Sequence, residues 1–367
     1  MNKLVLAIVI TMTTTTVLFF QNCSNSFESQ AINHNYNSSE NNNDEISSIS
    51  DSGTLPTFSI SSKYKEDQGI KNDPDVILFS DFENDFLKDG WSSSEGDVEL
   101  SDGGIDIFKG QFAHFKVTFP LVDGKVEDEL YLTRKARLNF DLPVPQDDIF
   151  VRLYTYFPTE TSAPHHFFGF RAAKPDLSLV PSGGSAGLKP DGDLRFQGRL
   201  DIDQGLVPFT YTYSHKMKCH ESNGNCYGNS FLFPPNDLIS FERNKWVCLE
   251  FMIKSNTPNI YDGEQAFWIN NKLAQHYYTG SHFGQWLHNQ FVLPKHEKYE
   301  AFPRDRGGFE GFNFRKNSDV KIRRLELEYY QSGWSLNKKG FAHKSVHNVY
   351  FDNVIVAKKR IGCMNTL

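Results

Sequence analysis

The sequence predicts an all-β protein, a sandwich of two antiparallel sheets. From Asp75 onward, short runs of alternating apolar and polar residues are separated by Gly, Pro, Asn and Asp, as in half-buried strands joined by turns. No long segment has the 3.6-residue period of a helix, and no internal repeat indicates a propeller. The predicted strands are Val76–Phe82, Arg137–Phe140, Ile149–Phe157, His166–Arg171, Leu194–Ile202, Phe209–His215, Trp246–Ile253, Ala266–Ile269, Val320–Tyr330 and Val349–Val356.

Composition and charge narrow the possible classes of protein. The chain has 367 residues, of which 39% are hydrophobic and 23% charged, so collagen, coiled coil and wholly disordered chains are excluded. Residues 76–367 carry 34 basic and 36 acidic side chains, a net charge of −2, without a Lys/Arg block. We therefore expect no nucleic-acid partner, since that binding needs a basic face. A body of about 290 residues can still be one β-sandwich domain.

The N-terminus has the pattern of an export signal over residues 1–22. Lys3 precedes an apolar stretch that is too short and too interrupted by Thr to span a membrane. Cys23 follows Phe20-Gln21-Asn22, and this arrangement resembles the bacterial lipoprotein signal, in which the cysteine is acylated. The resemblance implies a cell-envelope protein, at the outer membrane, that touches the membrane only through its lipid anchor. Simple signal cleavage with an incidental Cys23 is the alternative.

A polar segment separates this signal from the predicted domain. Residues 24–55 contain 9 Ser and 7 Asn and almost no side chains able to bury. Such a segment cannot offset the entropy cost of ordering. The sequence therefore predicts a disordered linker over residues 23–75 and a folded domain over residues 76–363.

Four cysteines remain beyond Cys23, and an exported chain favours disulfides for an even set. Cys219 and Cys226 bracket a polar turn, which predicts a local bridge between them. Cys248 would then pair with Cys363 and fasten the C-terminal strand to a central one. A zinc site that includes His220 is the alternative, although the spacing matches no standard finger.

Alternate residues of a strand face opposite sides, so each strand's faces can be compared. Several predicted outer faces concentrate Arg, Tyr, His and Gln, the residue types that form sites. An ordinary solvated face is the alternative interpretation. The residues in question are Arg152 and Tyr154; His165 and Arg171; Arg195, Gln197 and Arg199; and Tyr211, Tyr213 and His215.

A series of motifs in the last two-thirds of the chain is similar to a known group of proteins. The motifs are Trp246–Phe251, Asp262-Gly263, Phe267–Asn270, Tyr350–Ala357 and Arg360–Cys363. Their order resembles the concanavalin A-like jelly rolls in and around polysaccharide lyase families 14 and 20, which include glucuronan lyases and the fungal cellulose-induced protein. The resemblance covers about residues 76–363. It implies two curved sheets, with an acidic polysaccharide lying across the concave one.

Eliminative cleavage of a uronic-acid polymer suits the residues of the predicted groove. Removal of the C5 proton requires neutralisation of the adjacent carboxylate, a base, and an acid for the departing oxygen. We assign Arg195, Gln197 and Arg199 to the carboxylate, His165 to the base, and Tyr211 or Tyr213 to the acid. Arg152, Tyr154 and Arg171 would line neighbouring subsites. Glu250 would either face the groove or pair with an arginine.

Three further expectations concern cations and alternative functions. Asp81, Glu83 and Asp352 lie on the first and last strands and are candidates for a structural Ca²⁺ site, or else are solvated turn carboxylates. The segment Glu95–Glu99 weakly resembles the paired carboxylates of retaining glycoside hydrolases. A non-catalytic carbohydrate-binding or adhesion lipoprotein with the same groove is the alternative to the lyase. We expect a monomer.

Overall fold

The computed structural model describes residues 53–365, apart from 103–104, 106, 130, 176–186, 204, 221–223, 233–239, 295, 297–298 and 300–305. The described residues form eighteen strands in two sheets, two short 3-10 turns and one helix, α1 (Gly333–Lys338). The predicted signal peptide, Cys23 and the first part of the predicted linker lie outside the described residues. No helix among the described residues is long and apolar enough to cross a membrane.

The first sheet has eight strands, in the order β13-β12-β11-β6-β18-β4-β3, with β1 also paired to β18. Their bounds are β1 Val76–Ser80, β3 Asp97–Ser101, β4 Phe112–Thr118, β6 Asp148–Tyr156, β11 Trp246–Lys254, β12 Glu264–Ile269, β13 Lys272–Tyr277 and β18 Val346–Ala357. All of these pairings are antiparallel.

The second sheet has ten strands, in the order β16-β14-β15-β10-β9-β8-β7-β17-β5-β2. Their bounds are β2 Trp91–Glu95, β5 Thr133–Gln146, β7 His166–Ala173, β8 Arg195–Asp203, β9 Val207–Tyr213, β10 Asn229–Leu232, β14 Phe283–Leu287, β15 Gln290–Val292, β16 Gly307–Gly308 and β17 Lys321–Ser332. Only β10 and β15 pair in parallel among the described strands. The predicted all-β sandwich of two sheets is confirmed.

A continuous core fills the space between the sheets. Phe168 and Phe170 of β7 face Phe251 of β11, with ring centroids 6.2 and 6.4 Å apart. From β8, Phe196 and Leu200 contribute side chains with no exposed surface. Gly198 lies between them, where an added Cβ would meet Ile253 and Gln265 of the opposite sheet. Because one face of β8 is committed to the core, Arg195, Gln197 and Arg199 must face outward.

The described part of the predicted linker is folded, so that part of the prediction is wrong. Residues 59–73 lie against the outer face of the eight-stranded sheet. Ile60 and Ile70 are buried there in a cluster with Phe150, Trp268 and Ile355. Two isolated apolar residues in a polar segment give no periodic signal, but here they cover an apolar patch that would otherwise face solvent.

Arg152 joins this N-terminal segment to the sheet. Its side chain has no exposed surface, and Nη2 donates to Asp67 Oδ2 at 2.7 Å and to Asn353 Oδ1 at 2.8 Å. A buried guanidinium needs a compensating charge because leaving water is costly for an ion. Asp67 supplies that charge from outside the sheet, so the segment is part of the fold.

Both predicted disulfides are present. Cys248 of β11 is bonded to Cys363, which holds the C-terminal segment over the same outer face. Cys219 is bonded to Cys226, closing the turn between them. The zinc alternative for this turn is therefore replaced by a covalent bridge.

Loss of the Asp67 charge should destabilise the whole domain. We expect Asp67→Asn to lower the free energy of unfolding by about 3 kcal/mol, since it leaves the buried Arg152 guanidinium uncompensated. Asparagine is chosen because Asp67 has a positive φ of 58°, which Asn tolerates better than Ala. Urea unfolding measures the effect. Glu66→Gln, at the exposed neighbouring position, is the control and should change stability by less than about 0.5 kcal/mol; equal effects would contradict the role of the Arg152–Asp67 pair.

Candidate functional site

The outer face of the ten-stranded sheet gathers most of the predicted site residues. In the strand register, Arg199 lies between Gly169 and Tyr211, and Gln197 lies between Arg171 and Tyr213. Gly169 is required here because a Cβ would meet the backbone of Gly198 and Arg199. The structure therefore brings Arg171, Gln197, Arg199, Tyr211 and Tyr213 together, with Arg195 further along β8.

Carboxylates of β17 and β8 occupy the arginines of this face. Arg199 lies 2.5 Å from Glu328, and 3.4 Å from both Glu326 and Asp201. Arg171 lies 2.5 Å from Glu326, and Arg137 of β5 also pairs with Glu328. We call these six side chains, Arg137, Arg171, Arg199, Asp201, Glu326 and Glu328, the charge network. Its three positive and three negative charges cancel.

The charge network changes the interpretation of the predicted groove. Arg199 and Arg171 are 3% and 5% exposed, so the protein's own carboxylates take up their charge. The assignment of Arg199 to a substrate carboxylate, and of Arg171 to a subsite, is therefore not supported by their placement. The sequence hid this because Glu326 and Glu328 belong to β17, which follows β8 by more than 100 residues but lies two strands away in the sheet.

Burial and pairing act in opposite directions on the ionisation of the network. Burial alone would raise the pKa of Glu328, but Arg199 and Arg137 lower the pKa by more than burial raises it. The pKa therefore lies below its usual value. Burial likewise acts to raise the pKa of Asp201, while His166 and Arg199 bring it below the usual value. Both carboxylates are therefore ionised at neutral pH, which keeps the face charge-balanced.

The histidine that reaches this face is His166, not His165 as predicted from alternation. His166 Nδ1 lies 2.9 Å from Asp201 Oδ2, while Asp201 Oδ1 accepts the backbone N–H of Phe167 at 3.0 Å. The His166 ring centroid is 5.6 Å from that of Tyr211, and its side chain is 28% exposed. The register between β7 and β17 shifts between Leu327 and Tyr330, so strict alternation fails at this point. Phe167 and Phe168 are consequently both buried.

His165 lies beside this pair, and no carboxylate among the described residues pairs with it. Its backbone N–H donates to the Tyr330 carbonyl at 2.7 Å, and its ring centroid is 4.6 Å from that of His166. Burial lowers its pKa to about 3, and His166 and Lys339 lower it in the same direction. His165 is therefore neutral at ordinary pH and a weak base, so its predicted role passes to His166.

Tyr211 and Tyr213 are held by the turn that the Cys219–Cys226 disulfide closes. The Tyr211 hydroxyl accepts the backbone N–H of Gly228 at 2.9 Å, and the two tyrosine hydroxyls are 3.5 Å apart. Tyr213 is buried in a cluster with Met217 and Cys226. The two rings lie nearly perpendicular, 5.7 Å apart. Their position thus depends on contacts outside the sheet, which the sequence pattern did not indicate.

Three predicted groove residues belong to the other sheet. Arg152 and Tyr154 lie on β6, and Glu250 on β11, with their side chains on the outer face of the eight-stranded sheet. Glu250 accepts the backbone N–H groups of Ile361 and Gly362 at 2.6 and 3.0 Å. The Tyr154 hydroxyl accepts the Met364 N–H at 2.8 Å. These residues fasten the terminal segments and do not line the groove. Glu250 instead has the arginine partner of the alternative, since its Oε2 lies 3.8 Å from Arg360 Nε.

The structure separates the two carboxylates of the segment that weakly resembles a glycoside hydrolase motif. Glu95 lies in β2 and pairs with Lys135, whereas Glu99 lies in β3 and pairs with His114. The two strands belong to different sheets, so these carboxylates do not flank a common site as paired hydrolase carboxylates do.

The predicted calcium ligands do not assemble into a metal site. Burial raises the pKa of Asp352 to about 8, and Glu83 and Asp81 act in the same direction, so the three influence one another. Asp81 Oδ1, however, accepts the Glu83 N–H, and Glu83 Oε1 accepts the Gln111 N–H. The described residues contain no group of three or more His, Cys, Asp or Glu placed to hold a metal ion. The donors present thus do not fit Ca²⁺ as arranged.

Several solved structures are similar to this chain. The chain is similar to an alginate lyase from Chlorella virus, with 14% identity over 77% of this chain and 99% of that one, and a TM-score of 0.48. It is also similar to a marine PL-14 alginate lyase from Aplysia kurodai, with 14% identity over 77% of this chain and 97% of that one, and a TM-score of 0.47. For the endo-β-1,4-glucuronan lyase from the fungus Trichoderma reesei, the identity is 13% over 77% of this chain and 96% of that one, and the TM-score is 0.45.

The chain is a jelly-roll sandwich. No protein-family model matches it. No curated protein matches it either. At these identities and TM-scores, the chemistry of this chain has to be argued from its own residues.

The charge network should make stability depend on acid. Because the folded-state pKa of Glu328 is lowered, its contribution to stability is present above the unfolded pKa of about 4.3 and is lost as the pH falls below it. We expect Glu328→Gln to cost about 3 kcal/mol at pH 7 and to flatten the fall in stability between about pH 5 and pH 2. Urea unfolding across this range is the measurement. Glu95→Gln, whose side chain is 51% exposed, should leave the slope unchanged; an unchanged slope in Glu328→Gln would contradict the network's role.

Proposed function

We propose that the protein is a polysaccharide lyase that cleaves a uronic-acid polymer by β-elimination on the outer face of the ten-stranded sheet. One observation carries the proposal: His166 is held by Asp201 and lies beside Tyr211 on this face. A partly exposed imidazole, a carboxylate behind it and a phenol alongside are the groups that a proton abstraction with a departing oxygen needs.

Each group has a defined part in the reaction. Asp201 accepts from Nδ1 of His166, which leaves Nε2 as the basic atom and stabilises the imidazolium that forms. Nε2 has no hydrogen-bond partner among the described residues, so it is available to take the C5 proton of a uronate. The C4 oxygen is on the neighbouring carbon, and the Tyr211 phenol can donate its proton to that oxygen as it leaves. Tyr213, 3.5 Å from Tyr211 between hydroxyls, supports that phenol.

The carboxylate of the substrate needs a donor from outside the charge network. Arg171 and Arg199 are neutralised by Glu326, Glu328 and Asp201, so they stabilise the fold of the face rather than the negative charge that develops on the substrate. Of the residues assigned to this task from sequence, Arg195 and Gln197 lie outside the charge network. Arg195 is partly exposed at the start of β8, where it can bind an adjacent acidic sugar.

The proposal extends to the place where the protein acts. We propose that Cys23 carries a lipid, that the protein is anchored at the outer membrane of the cell envelope, and that it acts there as a monomer on an acidic polysaccharide. The two disulfides support export, because disulfides persist in oxidising compartments. Structural Ca²⁺ at Asp81, Glu83 and Asp352 stays a prediction that the arrangement of these side chains does not favour.

A non-catalytic polysaccharide-binding protein is the second candidate. The observation that favours it is the neutralisation of the buried arginines, which removes two of the expected partners of the developing charge. Both candidates bind sugar acids, but only the lyase produces unsaturated uronate ends.

Substitution of the two neighbouring histidines tests the proposal. We expect the unsubstituted protein to generate the absorbance of 4,5-unsaturated uronates from glucuronan or alginate. His166→Ala should lower the rate at least about 100-fold, the usual contribution of a positioned base. His165→Ala is the matched control, and it should lower the rate less than about tenfold because a neutral, weakly basic ring takes no proton.

One result would contradict the lyase, and another would contradict the choice of His166 as its base. If none of the uronans yields unsaturated ends while binding is measurable by calorimetry, the binding protein is the correct function. If His165→Ala abolishes cleavage and His166→Ala does not, elimination occurs but the base has been misassigned.

A further inference from the structure

Lys339 follows α1 and reaches the segment that carries the two histidines. Its Nζ donates to the carbonyl of Ala163 at 2.9 Å and contacts that of Pro164 at 3.4 Å. These two carbonyls directly precede His165. An ammonium group has three donors, so one N–H is left after both carbonyls are served.

Lys339 has no ion-pair partner among the described residues, unlike the arginines of the charge network. Asp201 and Asp203 of β8 are close enough to act on its charge, but neither lies within ion-pair distance of its Nζ. Two neutral carbonyls hold the ammonium in place without cancelling its charge. The resulting arrangement is a fixed cation without an ion-pair partner among the described residues, next to a face on which the arginines of the charge network are all paired.

We propose that Lys339 binds the carboxylate of the sugar acid whose C5 proton His166 removes. The inference rests on the proposed function and supplies the donor that the charge network cannot give. The substrate carboxylate completes the ion pair that Lys339 lacks, and negative charge that develops on that carboxylate during proton removal is stabilised by the same ammonium. Selection for acidic over neutral sugars at this position follows directly.

The ionisation of Lys339 gives the interaction a pH dependence. Burial lowers its pKa to about 8, with Lys338 acting in the same direction, while Asp203 and Asp201 act in the opposite direction. Lys339 is therefore charged below about pH 8 and neutral above it. His165, with a pKa of about 3, does not change charge in this range. Affinity for a uronate should fall as the pH rises through 8.

A pair of oligosaccharides that differ only in the carboxylate tests the proposal. The probes are a glucuronan hexasaccharide and cellohexaose, measured by calorimetry on the full chain carrying His166→Ala to prevent turnover. Lys339→Met should weaken binding of the glucuronan hexasaccharide at least tenfold at pH 7 and leave binding of cellohexaose unchanged. Lys338→Met, one residue earlier and exposed, is the matched control and should change neither. A merely structural role for Lys339 would weaken both probes equally and would overturn the proposal.

Lys339→Arg keeps the test open if the methionine variant does not fold. Arginine stays charged, so its affinity for the glucuronan hexasaccharide should hold between pH 7 and pH 9.5, where that of the Lys339 protein falls about tenfold. Equal pH dependence in the two proteins would overturn the inference. If the parent chain cleaves or binds uronans but Lys339→Met matches it, only this inference fails; if it neither cleaves nor binds any uronan, the proposed function fails as well.

Discussion

The ten-stranded sheet depends on the cancellation of charge across its outer face. Four adjacent strands, β5, β17, β7 and β8, each contribute to the charge network, and every member is at least partly removed from water. None of the six ions could remain buried alone, because the cost of desolvating one exceeds what a single hydrogen bond returns. The network therefore ties the strand register to the electrostatics of the face. A displacement of one strand would leave buried charges unpaired, and this keeps Gly169, Arg199 and Tyr211 in one row.

The same requirement shapes the opposite side of the molecule. Arg152 is more deeply buried than any arginine of the charge network, and together with Asn353 of β18 it holds Asp67 against the eight-stranded sheet. Glu250 does the equivalent for the C-terminal segment by accepting two backbone N–H groups. The two outer faces thus use charged residues differently. One is closed by the ends of the chain, and the other presents His166 and the tyrosines.

Strand alternation predicted the faces of regular strands and failed where the geometry is not regular. It placed Arg195, Gln197 and Arg199 on one outer face because β8 runs without interruption. It chose His165 over His166 because it could not detect the register shift opposite Tyr330. It assigned Arg152 and Glu250 to the groove because alternation shows which side of a strand faces outward, but not to which of the two sheets the strand belongs. Edge strands such as β2, with the sequence Trp-Ser-Ser-Ser-Glu, were not predicted because they have too few apolar residues to show a period.

The ion pairs of the charge network could not be predicted from the sequence, because their partners are far apart in the chain. Glu326 and Glu328 lie more than 120 residues from Arg199 in the chain, so nothing local in the sequence indicates that they meet it. The disulfides were predictable because only a few pairings of four cysteines exist, whereas dozens of charged residues allow far too many pairings.

The described N-terminal segment and the described C-terminal segment come together on the face away from His166. Lys65 pairs with Asn365 in a parallel bridge, and the described terminal segments lie over the eight-stranded sheet, not the ten-stranded one. Any tether attached before residue 53 would thus leave from the rear of the molecule. A protein attached to a surface through such a tether would present His166, Tyr211 and Tyr213 to the surrounding medium and not to the surface.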